Sequence, residues 1–174
     1  MGFWSVVVFC FLSCIATGES HPRVGTGCKI RHSIRSTEIM YEASRFYDDS
    51  VAIWNYGDSK VGPEAIWEIE EWQVDGRKYY EFHNPYYDNF MAYKTGHIHT
   101  YKKSYFDSRE ANNLFQIEPP SFKGENRVSI ISKGSGKAAM VTQEAPNGPR
   151  KRTFVRFEAS NPDSGWQKWE ILCD

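Results

Sequence analysis

A turn near the middle of this 174-residue chain combines aromatic and polar side chains in a way that suits ligand binding. Tyr86 and Tyr87 are adjacent and are followed directly by Asp88 and Asn89. A flat ring beside carboxylate and amide groups can hold a sugar ring or a protein side chain. We predict that these four residues form a binding site, with a neutral sugar as the leading ligand. The alternative, in which one ring packs inward and the other has no role, stays open.

A second candidate site is basic. Arg150, Lys151 and Arg152 follow an Asn-Gly-Pro turn, and Lys133 and Lys137 belong to the turn before it. Clustered Lys and Arg side chains recognise sulfate, carboxylate and phosphate groups. The pattern predicts a site for an anionic glycan, and an ordinary solvated loop is the competing interpretation.

Metal and catalytic chemistry have weaker signals. His97 and His99 share a strand face and could supply two zinc ligands with a third residue, but an exposed pair on a hairpin is the favoured interpretation. If the chain is cleaved after Gly18, His21 becomes the third residue, where an imidazole, two amide nitrogens and the amine can hold Cu(II). The sequence has no Gly-x-Ser-x-Gly element and no phosphate loop. We therefore expect a protein that is not an enzyme and needs no cofactor.

The beginning of the chain is typical of a secretory signal peptide. Residues 1–18 carry no charged side chain, 6–12 are almost wholly apolar, and 16–18 are small. The apolar run is too short to span a membrane. We expect removal of 1–18, secretion to the extracellular space, and an N-terminal tail over 19–27.

Two cysteines remain after that cleavage. Cys28 and Cys173 lie near the two ends of the expected mature chain. An even pair in a secreted protein favours a disulfide, and two free thiols are the alternative.

An internal repeat in the sequence predicts the strands that position the candidate site residues. A three-residue motif, an aromatic residue followed by Glu or Gln and then Ile, occurs three times at spacings of 48 and 54 residues. Three methionines, each preceded by a nonpolar residue, are spaced by 51 and 49 residues. Two marks in phase indicate three copies of one unit, over about 28–72, 73–120 and 121–174. The markers, which we assign to a shared core, are Trp67, Phe115, Trp169, Met40, Met91 and Met140.

Each copy contains four short runs of β-branched and aromatic residues that end at Gly, Pro, Asn or Asp. These runs are 29–35, 38–43, 51–55 and 65–70 in the first copy and 78–83, 90–94, 97–102 and 113–118 in the second. In the third copy they are 127–132, 138–143, 153–158 and 167–172. Twelve strands in three units predict an all-β domain over 28–174, a β-trefoil in which six strands form a barrel and six form hairpins that cap it. A propeller is the runner-up, although three blades are fewer than usual.

The chain resembles the β-trefoil superfamily along nearly its whole expected mature length. The last copy, Gln167-Lys168-Trp169-Glu170-Ile171, is similar to the Gln-x-Trp-x-Ile phrase of ricin-B-type lectins. In that family an Asp holds the sugar at places that are occupied here by Tyr41, Ala92 and Val141. The resemblance therefore implies the fold, but it implies no galactose site at those places.

Together these patterns predict a secreted, monomeric recognition module that binds a glycan. The alternative is a protein-binding trefoil, such as a protease inhibitor or a cytokine-like or growth-factor-like ligand, with 143–153 as its contact loop. The net charge of −1 gives no general attraction to nucleic acid, and no nucleic-acid partner or membrane span is expected.

Overall fold

The structure is a computed structural model that describes residues 22–43, 51–55, 62–103, 112–120, 127–141 and 153–174. This part of the chain contains twelve β-strands and two short 3-10 turns, and each strand overlaps one predicted from the sequence. The strands are β1 Arg23–His32, β2 Glu38–Glu42, β3 Val51–Asn55, β4 Trp67–Val74, β5 Arg77–Asn84, β6 Asn89–Lys94, β7 His97–Tyr101, β8 Phe115–Glu118, β9 Ser129–Ser132, β10 Ala138–Val141, β11 Thr153–Glu158 and β12 Trp169–Leu172.

The strand pairings are antiparallel and close into a barrel. One closed circuit runs through seven strands, in the order β5, β6, β7, β11, β10, β9 and β8. β4 joins β5 to β1, β1 pairs with β12, and a bridge between Val128 and Trp169 links β12 to the segment before β9. The predicted all-β class is confirmed.

Tight turns set the register of the hairpins. Asp75 and Gly76 join β4 to β5 with φ values of 51° and 73°, and Thr95 and Gly96 join β6 to β7 with 48° and 86°. Two successive residues at positive φ match the twist of the flanking strands. The β5–β6 hairpin has a longer turn, which contains the predicted tyrosine site.

The aromatic residues of the three repeated motifs occupy the core. Trp67, Phe115 and Trp169 are fully buried. The Trp67 indole donates a hydrogen bond to the Met40 carbonyl at 3.3 Å. A buried indole N–H needs such a partner, so the Trp67 ring is held in place as well as packed.

The third methionine corrects the predicted set of core markers. Met40 and Met91 are fully buried, but Met140 is only half-buried, and Ala139 occupies the core beside it. The Trp169 indole donates to the Ala139 carbonyl at 3.0 Å. Because strand side chains alternate between faces, a shift of one residue places Met140 on the outer side.

The two ends of the domain are tied together. Cys28 and Cys173 form the predicted disulfide, with an S–S distance of 2.04 Å. β1 begins at Arg23, and its Gly25 pairs with Ile69 of β4. The segment 19–27, which we expected to be an N-terminal tail, therefore overlaps a strand. Within the described residues we find no helix that is long and apolar enough to cross a membrane.

Candidate ligand-binding hairpin

A buried asparagine shapes the turn between β5 and β6. Asn84 is fully buried, and its amide nitrogen donates to the Glu64 carbonyl at 2.8 Å. Its side-chain oxygen accepts hydrogen bonds from the backbone N–H groups of Tyr86, at 3.1 Å, and Tyr87, at 3.3 Å. This is an Asx-type turn, which an asparagine side chain can close on its own backbone. The Asn84-Pro85 pair signals a turn in the sequence, but the prediction gave the Asn84 side chain no part in the site.

The two tyrosines differ in exposure. The Tyr86 residue is 52% exposed, whereas Tyr87 is half-buried. Their ring centroids lie 4.7 Å apart at an interplanar angle of 69°, an edge-to-face contact that restrains both rings. Tyr87 therefore supports Tyr86, which presents its ring to solvent.

Asp88 belongs to the same turn, and its carboxylate is largely in solvent. The side chain is 75% exposed, and the backbone φ of 54° is a conformation that Asp tolerates better than most residues. Its Oδ1 lies 3.1 Å from His83 Nε2. The Lys102 ammonium donates to the carbonyl oxygens of Tyr87 and Asp88, which fixes the backbone of the turn.

A chain of polar contacts connects Asp88 to the sheet. His83 Nδ1 lies 3.2 Å from Glu68 Oε2, and Glu68 Oε1 accepts from Arg23 at 3.0 Å. The His83 ring also stacks on Phe90, with centroids 4.4 Å apart. Because both imidazole nitrogens have partners, the ring holds Asp88 in one orientation.

Asn89, the fourth predicted ligand residue, does not join this surface. It is buried, and its amide nitrogen donates to Glu42 Oε1 at 2.5 Å. The Thr100 hydroxyl donates to the same oxygen at 2.9 Å. Asn89 faces inward because it begins β6 directly opposite Asn84, which is also buried.

Two of the five residues of the predicted basic cluster, Lys133 and Lys137, lie within the described residues. Lys133 and Lys137 belong to the β9–β10 turn, where Lys137 is exposed and the Lys133 ammonium lies 5.5 Å from the centre of the Tyr79 ring. Arg150, Lys151 and Arg152 lie outside the described residues, as does His21.

The His97–His99 pair lies on one face of β7 with ring centroids 6.3 Å apart. Burial lowers the pKa of His97, and the nearby Arg156 and His99 lower it further. Among the residues that the structure describes, no group of three His, Cys, Asp or Glu side chains is arranged to hold a metal ion.

Comparison with known proteins shows likeness at the level of structure. No family model matches the sequence, and no curated protein matches it. A lectin from Polyporus squamosus, solved with the epitope Neu5Acα2-6Galβ1-4GlcNAc, is similar with a TM-score of 0.59 and 17% identity over 86% of this chain and 49% of that one. The designed three-fold symmetric protein ThreeFoil is similar with a TM-score of 0.58 and 15% identity over 84% and 98%.

A mosquitocidal holotoxin is similar with a TM-score of 0.64 and 13% identity over 86% of this chain. The chain spans only 17% of that toxin and about half of the lectin. At such identities the likeness shows the fold alone: an all-β chain whose structural neighbours have trefoil-like folds.

Proposed function

We propose that this protein is a carbohydrate-binding module and that the tip of the β5–β6 hairpin binds a neutral sugar. One observation carries the proposal: Tyr86 and the Asp88 carboxylate, two residues apart, are both exposed on a turn that Asn84 and Lys102 hold in place. Lectins among the structural neighbours are consistent with this class of function.

In the proposed site, Tyr86 and Asp88 would make different kinds of contact with a sugar. The Tyr86 ring offers an apolar face to the C–H side of a sugar, and Asp88 has acceptor capacity for sugar hydroxyls besides its contact with His83. Because the turn is already fixed, binding orders little additional chain, which reduces its entropic cost.

We extend the proposal to the architecture. The hairpins β2–β3, β6–β7 and β10–β11 and the pairing of β11 with both β3 and β7 support the three four-strand repeats of a β-trefoil. A second circuit through β1, β4, β5, β8, β9 and β12, which the Val128–Trp169 bridge completes, supports its six-strand barrel. The disulfide supports a secreted, extracellular protein, and we propose that it is a non-catalytic monomer.

A glycan array tests the function. The protein should give discrete hits, and Tyr86→Ala and Asp88→Asn should each remove them. Ile34→Ala is a matched control, since Ile34 is a comparably exposed apolar residue at 53% and lies outside the hairpin. An array without hits, beside tight binding to a protein such as a protease, would replace the proposal with the protein-binding alternative.

A further inference from the structure

A cleft of about 570 Å³ opens between the start of β5 and the end of β8. The ladder between these strands consists of one residue pair, Tyr80 opposite Phe115. Beyond that pair β5 continues in its ladder with β4, and β8 continues in its ladder with β9, so the two strands diverge. The volume falls in the range of small-molecule sites, roughly 300–1,000 Å³.

Two cations, Arg77 and Lys78, and one carboxylate, Glu118, line the cleft. Lys78 is neutralised by Glu71, at 2.9 Å, and Glu118 Oε1 accepts from the Gln116 amide at 2.6 Å. Arg77 is exposed, and it makes no ion pair among the residues that the structure describes. A guanidinium in this situation favours a ligand with one carboxylate, to which it can donate two parallel hydrogen bonds.

The remaining lining suits a polyhydroxylated ring. Gln116 and Glu118 keep acceptor oxygens for hydroxyl groups beyond the hydrogen bond that joins them. Pro119 and Pro120 line the cleft next to them and offer apolar ring surfaces without N–H donors. An acidic peptide fits less well, because its further carboxylates would approach Glu118 and Glu71.

We propose that this cleft is a second ligand site that binds an acidic sugar, of the hexuronic or sialic acid kind, through Arg77. The inference goes beyond the proposed function, since the cleft shares no residue with the hairpin tip. The two sites can therefore be tested separately.

A protein-observed NMR titration with D-glucuronate tests the proposal, with D-glucose as the ligand that lacks only the carboxylate. Glucuronate should shift the resonances of the β5 start and β8 end, and glucose should not. Arg77→Gln should weaken glucuronate binding roughly tenfold or more, and Arg77→Lys should recover only part of it. Arg156→Gln, which removes another exposed arginine, and Tyr86→Ala should leave this binding unchanged.

Three results would overturn the proposal. The first is equal binding of glucose and glucuronate, and the second is glucuronate binding that Arg77→Gln does not weaken. The third is an Arg77-dependent response to an acidic peptide with none to either glucuronate or N-acetylneuraminate, which would assign the cleft to peptides. Unchanged thermal midpoints of the Arg77 variants would show that a loss of binding is not a loss of folding.

Discussion

The amide nitrogen of Asn113 donates a hydrogen bond to Oε1 of Glu81 at 2.7 Å inside the fold. The Glu81 side chain is 2% exposed, and burial raises the pKa of its carboxyl. Glu70 raises that pKa further, while the Lys103 ammonium, 3.8 Å from Oε2, opposes the shift together with Asn113 and His83. Burial outweighs these opposing groups, so the fold favours the neutral acid.

The first prediction is that Glu81 makes the protein less stable as pH rises. A carboxyl whose pKa is raised on folding binds more protons in the native state, so its contribution is fully present below the unfolded pKa of about 4.3 and is lost above it. Glu81→Gln should remove this loss, keep the hydrogen bond from Asn113, and raise the thermal midpoint more at pH 8 than at pH 4. Thermal unfolding across that range measures it, with the exposed Glu158→Gln as control. Parallel pH profiles for Glu81→Gln and the wild type would contradict it.

The second prediction concerns the turn that presents Tyr86. Asn84→Ala should cost about 1–3 kcal/mol of unfolding free energy, because it leaves the Glu64 carbonyl and two turn N–H groups without their partner. Sugar binding should fall as well, since the turn is no longer fixed. Urea unfolding and the glycan array measure the two effects. Asn161→Ala removes a similar Asx contact in an exposed loop and should leave sugar binding intact, so equal losses in both variants would refute the local role.

The fold was predictable because its signals are periodic. All twelve strands overlap segments bounded by turn residues, and the aromatic markers Trp67, Phe115 and Trp169 lie in the core as expected. Met140 departs from the pattern because the third copy is offset by one residue, with Ala139 inside. The dipeptide Ala139-Met140 does not itself show which of its two residues faces the core. The pairing with neighbouring strands and the hydrogen bond from the Trp169 indole to Ala139 determine it.

The arrangement of the candidate site residues was predictable only in part. Tyr86 and Asp88 protrude as a turn composition suggests, but Asn89 faces inward because it lies opposite Asn84 at the end of the ladder. The Arg77 cleft gave no sequence signal at all. It arises where the paired strands β5 and β8 diverge, a feature of tertiary pairing between segments that are distant in sequence.

The third prediction is that the terminal disulfide is a large part of the stability. Cys28 and Cys173 close a separation of 145 residues, and chain-entropy reasoning gives about 4–5 kcal/mol for such a loop. The Cys28→Ser/Cys173→Ser double variant should therefore unfold at markedly lower urea concentration. Reduction of the wild type should reproduce this loss and add two hydrogens to the intact mass. Equal stability of reduced and oxidised protein would contradict the prediction.

The last prediction assigns a structural role to the lectin-like glutamine. Gln167 is buried, its side-chain oxygen accepts from the Asn161 N–H at 2.7 Å, and its nitrogen donates to the Ala159 carbonyl at 2.8 Å. Both contacts hold the loop between β11 and β12, so Gln167→Ala should cost about 1–3 kcal/mol of unfolding free energy and leave glycan binding unchanged. Gln116→Ala, at a half-exposed position, should cost much less. Loss of array hits in a folded Gln167→Ala protein would instead show that this glutamine contributes to a sugar site.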